Sequence, residues 1–326
     1  MNKKFVNACN RKSQKVPPIW FMRQAGRYHS HYRNIKQNST FELMCKTPEL
    51  AGEVALGPIR EFDYDVAILF SDILWPLEGL GMNLRFDPGP KFQFHIDKNN
   101  VDNFRDTDKA IDFLHFQKEA VAVTREMLPK TKSLIGFVGG PWTLMNYACG
   151  NLKVTEKFKL DYIKKTLVPL LKKNIQLQID AGAEKVMIFD SGLKNMTSKF
   201  FNAKYFPILK ELAMPQTAYY SRNLPRKCIS RVLEAQWGGI GVDSKIDMID
   251  CLKTVDKGFV QGNFDEQMML LPKHKFMYAI EKYCDDIRNS RVDRTGWVCG
   301  LGHGIDKTTP EEHVHLFIET VRNRLS

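Results

Sequence analysis

The sequence predicts an α/β fold, a single-domain (β/α)8 TIM barrel. Three observations lead there. Short apolar runs alternate with longer amphipathic stretches along the whole chain, and eight such runs can be counted. Several are apolar throughout, as parallel strands buried on both faces require. Polar and glycine residues gather just after the runs, where the active sites of such barrels lie. The 326 residues are 43% hydrophobic, enough for a large core. No repeat or low-complexity linker divides them, so residues 1–326 are expected to form one domain. A doubly wound sheet is the alternative, but no GxGxxG follows the first run.

In order, the predicted strands are Ile19–Met22, Val66–Phe70, Leu134–Val138, Val186–Phe189, Thr217–Tyr220, Gly239–Val242, Phe259–Gln261 and Trp297–Leu301. Their C-terminal ends carry Arg23 and Arg27, then Ser71 and Asp72, Gly139 to Trp142, Asp190 and Ser191, Ser221 and Arg222, Asp243, Asn263 and Asp265, and His303. Helices have recognisable starts. Thr47-Pro48-Glu49 offers an N-cap with proline at the first helical position. Thr309-Pro310-Glu311-Glu312 reads as a capping box. Between Leu84 and Ile96 the residues alternate on both sides of Pro88-Gly89, which predicts a β-hairpin excursion near 84–96. It is either a wall or lid of the site or a plain surface hairpin.

Composition narrows the function. The net charge of +11 raises nucleic-acid binding. Yet the lysines are scattered in short pairs, and no basic run or nucleic-acid-binding motif is present. The excess is assigned to solvated helix faces, with a share attracting an anionic substrate. No apolar run approaches the ~18 residues of a membrane span. Met1-Asn2-Lys3-Lys4 does not open a secretory signal, so a cytoplasmic protein is expected. The 7 cysteines are dispersed and contain no CxxC, which suits reduced thiols rather than a metal cluster.

The most informative stretch is Pro18-Ile19-Trp20-Phe21-Met22-Arg23-Gln24-Ala25-Gly26-Arg27-Tyr28. An apolar run ends in two arginines with a glycine between them. Arginine grips carboxylates through a planar fork, so the pair suggests a pocket for an acidic molecule. A surface ion-pair patch is the alternative, but Trp20, Phe21 and Met22 argue for burial, and a buried arginine needs an anion. Asp72, beyond the second strand, is either a helix cap or a carboxylate facing the cleft. His303 lies between two glycines that permit close approach to a ligand. Tyr147 either packs or reaches the cleft. His29 and His31 read as rim residues of the Arg27 loop, and His313 and His315 as solvated or structural.

The arginine stretch closely resembles the N-terminal signature of the uroporphyrinogen decarboxylase family. Gly136-Phe137-Val138-Gly139-Gly140-Pro141-Trp142-Thr143-Leu144-Met145-Asn146-Tyr147 resembles the family's second signature. Phe70-Ser71-Asp72-Ile73-Leu74, Gln261-Gly262-Asn263-Phe264-Asp265 and Leu301-Gly302-His303-Gly304 follow in the family's order. The resemblance implies removal of carboxyl groups from the acetate arms of the tetrapyrrole uroporphyrinogen III, giving coproporphyrinogen III and CO2 in heme biosynthesis. It implies no metal or organic cofactor, a homodimer, and substrate contacts at Arg23, Gln24, Arg27, Asp72, Tyr147, Ser191 and His303. Arg23 and Arg27 would clamp carboxylates and Asp72 would stabilise a pyrrole cation. The proton donor stays open among Asp72, an arginine and a bound water. Asp243 matches a family aspartate, with loop anchoring as its minimal role. The chain departs from the pattern at His29-Ser30-His31, Ala148–Asn151 and Ser244, which leaves the pocket rim open. The rival is a zinc-dependent corrinoid or coenzyme methyltransferase of the same superfamily fold. It would need a thiolate ligand, and Gly302-His303-Gly304-Ile305 contains none.

Overall fold

The computed structural model describes residues 1–326. Seven parallel strands form one curled sheet: β1 (Val66–Ile68), β4 (Ser133–Gly139), β5 (Lys185–Phe189), β6 (Thr217–Tyr220), β7 (Gly239–Gly241), β8 (Phe259–Phe264) and β9 (Trp297–Leu301), paired in that order. β2 (Leu84–Phe86) and β3 (Pro90–Phe92) make a separate antiparallel hairpin with Leu84 opposite Phe92. Helices cover the outside, and 89 buried apolar residues form one continuous core. No helix is long and apolar enough to cross a membrane.

The first predicted strand, Ile19–Met22, is reduced to a single bridge from Ile19 to Cys299. The cause is local. Phe21 N–H, on the side facing β1, is taken by the Gln24 side-chain oxygen at 3.1 Å, and the chain turns at Arg23, so no ladder continues past the bridge. The segment still closes the barrel. On one side the Cys299 N–H donates to Pro18 O (2.9 Å) and Trp20 N–H to Cys299 O (3.3 Å). On the other, the Asp65 N–H donates to Ile19 O at 3.0 Å. Ile19 N–H in turn donates to the Asp65 carboxylate at 2.9 Å, a side chain standing in for a strand carbonyl. Asp65 is buried and also takes Lys4 Nζ at 2.8 Å, which offsets the cost of burying its charge.

Two helix starts behave differently. Proline occupies the first turn of Pro48–Phe62 as expected, although the Thr47 hydroxyl makes no capping bond. The predicted capping box at Thr309 does not form. Pro310 occupies the cap, the Thr309 hydroxyl is left without a partner, and Glu312, the carboxylate of the box, pairs with Lys273 instead. A distant donor has outcompeted the local one.

Candidate active site

The site is built where the closing segment turns away from the barrel. Arg23 sits at φ 64, the left-handed region that costs a non-glycine residue about 1 kcal/mol or more. Gly26 permits the turn, because a Cβ there would stand 2.8 Å from the Arg23 carbonyl oxygen. The turn throws Arg23 and Arg27 out of the core: both are exposed, and neither guanidinium has an acidic partner within ion-pair distance. The burial expected from Trp20, Phe21 and Met22 does not extend to the two arginines. The arginines are unpaired because they face an open mouth, not a filled pocket. Arg23 lies across Gly304, where a Cβ would meet its Cδ at 2.6 Å, so it reaches the loop that carries His303.

Gln24 is the correction in this segment. Its side chain is fully buried. Its amide donates to Val66 O at 2.9 Å, and its oxygen accepts from Phe21 N–H at 3.1 Å. Both polar ends are spent holding the closing segment onto β1, so it shapes the arginine loop from beneath. His29 is likewise buried rather than on the rim, tilted against Phe62 at 4.9 Å. His313 stacks on Phe276 and bonds Met269 O at 2.9 Å, so it is structural.

Asp72 combines the two roles left open for it. One oxygen accepts from the Leu74 N–H at 2.8 Å and shapes the turn after β1. The carboxyl is half-buried, and burial pushes its pKa from 3.8 to about 6, against the pull of the Leu74 hydrogen bond and of Arg23. A carboxylate in this state gains from any N–H donors or cation brought to it.

His303 faces the same mouth. Its Nδ1 lies 3.0 Å from the Tyr220 hydroxyl, which donates to Gly302 O at 2.8 Å, and the two rings stack. With the tyrosine proton given to the carbonyl, the hydroxyl oxygen is the acceptor for His303 Nδ1–H, leaving Nε2 as a neutral acceptor. Burial, then Arg222 and Arg23, hold the histidine down at about 4, so it is uncharged at neutral pH.

Tyr147 ends the helix Pro141–Cys149 and is 40% exposed, lining an open cleft of about 650 Å3 with Pro90, Lys91, Phe92 and His95 of the hairpin. The hairpin therefore lines this outer cleft, whose lining includes Tyr147 but not Arg23, Arg27, Asp72 or His303. Phe41 seats its base against Phe86, ring centroids 4.7 Å apart, and Ile96 N–H bonds Ala148 O at 2.9 Å. Gly150, among the departures from the family pattern, has φ +52 and lies under the His95 ring, 2.6 Å from where a Cβ would be. Ser191 is exposed and makes no hydrogen bond within the chain.

Beneath Ser191, Asp190 is fully buried. It accepts from Thr143 N–H (2.9 Å), Thr143 Oγ1 (2.8 Å), Tyr219 OH (3.2 Å) and Tyr205 OH. Burial raises its pKa while these donors oppose that rise. Thr143 Oγ1 accepts in turn from Gly192 N–H at 2.8 Å, locking the start of the Tyr147 helix to the Ser191 turn. Asp243 is a loop anchor of the same kind, accepting from the N–H groups of Asn223 (2.5 Å) and Lys245 (3.0 Å).

Sequence reasoning noted Arg222 at a strand end without assigning it a role, and did not single out Glu266. The two pair at 2.9 Å beside the His303 loop. The signal for Arg222 was its place just past a strand end; its partner, 44 positions away, carried no local signal.

The strand-end residues Arg23, Arg27, Asp72, Ser191 and His303 thus lie on one face of the barrel, with Tyr147 on the helix that follows β4. The sequence pattern of uroporphyrinogen decarboxylase (URO-D) matches residues 1–324. The chain is 33% identical to the uroporphyrinogen decarboxylase of Carboxydothermus hydrogenoformans, covering 98% of this chain and 96% of that protein. It is 34% identical to that of Orientia tsutsugamushi (strain Ikeda), covering 98% of both chains. Among solved structures, a methyltransferase from Methanosarcina mazei matches with a TM-score of 0.74 at 15% identity, covering 99% of this chain and 98% of that one, a likeness of fold alone. With both signatures at the barrel mouth and full-length relatives above 30% identity, the chain belongs to the uroporphyrinogen decarboxylase family.

Proposed function

We propose that the chain decarboxylates the acetate arms of uroporphyrinogen III to give coproporphyrinogen III and CO2, a step of heme biosynthesis. The observation that carries this reading is the mouth itself: two exposed, unpartnered arginines beside a half-buried carboxylate raised to about 6 and a neutral histidine. That arrangement suits a polyacid whose reacting ring becomes cationic. The substrate's pyrrole serves as its own electron sink, so the chain's residues suffice and no cofactor is invoked. A proton adds to the ring carbon next to the one bearing the acetate arm, beside the ring nitrogen, and leaves a cation conjugated with the arm-bearing carbon. The bond to the carboxylate then breaks, CO2 leaves, and its electron pair neutralises the ring as an exocyclic methylene. The methylene takes a proton to become methyl, and the ring carbon releases its own. One proton is consumed for each CO2 formed.

Arg23 and Arg27 hold carboxylates and Asp72 faces the pyrrole N–H groups. Those donors favour its ionised form, which then opposes the ring cation as charge develops. Tyr147, Ser191 and neutral His303 supply hydrogen bonds around the rim, and residues 1–326 act as one unit. The methyl-transfer alternative rests on fold likeness. Cys299, the cysteine nearest His303 in sequence, is fully buried in β9 and offers no thiolate to the mouth. The family resemblance also supports a cytoplasmic homodimer, which sedimentation of the purified protein tests. For the activity, uroporphyrinogen is incubated anaerobically with the protein and the oxidised products are separated by chromatography. Conversion to coproporphyrin through partly decarboxylated intermediates is expected. Unchanged uroporphyrin would refute the reading.

A further inference from the structure

The residue of interest lies on the opposite lip of the mouth from Arg27. Arg222 follows β6 by two residues, just beyond Tyr220, whose hydroxyl meets both Gly302 O (2.8 Å) and His303 Nδ1 (3.0 Å). Its guanidinium makes one contact, from Nη2 to Glu266 Oε1 at 2.9 Å. The two partners differ in surroundings. The Glu266 side chain is 6% exposed, while that of Arg222 is 44% exposed. A guanidinium carries five N–H donors in a fixed fork. A brace between loops would engage that fork bidentately and bury it. Here one N–H is anchored and the rest of the fork stands open to the mouth. Glu266 lies just past β8, so the anchor is rigid and aims the head from the side opposite the arginine loop.

We propose that Arg222 is a third carboxylate-binding residue of the cleft, held half-engaged by Glu266 and completed by an acidic arm of the substrate. The inference rests on the decarboxylase reading and deepens it. Cations then stand on two lips, Arg23 and Arg27 on one and Arg222 on the other, with His303 between Arg23 and Arg222. Both of those arginines depress the charge of His303, so their fields meet at its ring. A macrocycle with acidic arms around its edge can be gripped at two points at once. Once one lip is engaged the second contact becomes intramolecular, which raises affinity without new chemistry. Arg222 touches an arm that is not reacting, so its effect belongs to KM and specificity.

The experiment compares Arg222→Met, Arg222→Lys and Glu266→Gln with the wild type, using uroporphyrinogen turnover and an NMR titration of His303. Losing a charge-assisted contact should raise KM by about 10-fold or more in Arg222→Met, with kcat within about 2-fold. Lysine keeps the charge without the fork and should fall between. Removing one cation should also raise the His303 pKa in Arg222→Met, which checks that the Arg222 charge stands beside the His303 ring. Glu266→Gln keeps a neutral acceptor for the anchoring N–H and removes only the competing charge, so KM should fall. An unchanged KM in Arg222→Met overturns the inference. So does a rise in KM in Glu266→Gln parallel to that of Arg222→Met, which would mark the pair as a brace. If the wild type turns over no uroporphyrinogen, the decarboxylase reading fails and this inference with it. Turnover with insensitive Arg222 variants refutes this inference alone.

Discussion

Arg23, Arg27 and Asp72 carry the chemistry at the scale of single residues, and each can be separated from generic charge. If the arginines clamp carboxylates through the fork, Arg→Lys at either site should cost roughly 10–100-fold in kcat/KM, the value of a lost charge-assisted hydrogen bond. Arg60 is an internal comparison, because it is exposed and pairs with Glu53 at 2.6 Å on a helix surface. Arg60→Lys should leave kcat/KM nearly unchanged. Equal, small effects at all three positions would remove the clamp. Asp72 offers a test with two opposite signs. Its carboxyl holds a proton more tightly in the fold than in the unfolded chain, about 6 against 3.8. Stability is therefore lost as pH rises through that window and the cost is complete above it. Asp72→Asn should stabilise the free protein by ~1–3 kcal/mol near neutral pH and have little effect well below the window. The same change should lower kcat by about 100-fold. It should also abolish the rise of kcat/KM through pH of about 6 that reports Asp72 ionising in the free enzyme. A variant with normal kcat and raised KM would make Asp72 a positioning group instead.

At the scale of elements, the hairpin and the helix Pro141–Cys149 make one wall of the cleft, and Gly150 is the point where they meet. Its positive φ and the His95 ring above it leave no room for a Cβ. Gly150→Ala should cost ~1–2 kcal/mol in backbone strain and push His95 outward. A lower Tm together with a raised KM and a nearly unchanged kcat would show the hairpin acting as a wall; a lower Tm with unaltered KM would make it a plain surface feature. Elements were also the most legible level in the sequence. Thr217–Tyr220 and Trp297–Leu301 match β6 and β9 to the residue, because a short apolar run ending in polar residues has few other places to go. Ile19–Met22 was overstated because its apolar pattern is strand-like while the Asp65 and Gln24 side chains take the N–H groups of Ile19 and Phe21 that a ladder needs. The capping box at Thr309 failed because Pro310 took the cap position and Lys273, on another helix, captured Glu312. Pattern reads what a segment can do locally, and partners elsewhere in the chain decide what it does.

Across the whole molecule, barrel geometry explains why the site was legible only in part. The fold places every strand's C-terminal end on one face, so listing the residues there collects Arg23, Asp72, Ser191, Arg222 and His303 without any knowledge of side-chain direction. Direction is what the list lacks. Gln24 lies between two exposed arginines yet points into the core, because the Arg23 turn reverses the chain face within one residue. Asp190 precedes an exposed serine yet is fully buried among Thr143, Tyr205 and Tyr219, whose meeting depends on β4, β5 and β6 packing together. The central claim is that this barrel's own residues and the substrate's pyrrole accomplish the decarboxylation. The most direct measurement is the CO2 released per macrocycle by chelator-treated protein supplied anaerobically with uroporphyrinogen. The account predicts one CO2 for each acetate arm, at the same rate as untreated protein. Loss of CO2 release that added zinc restores would contradict it.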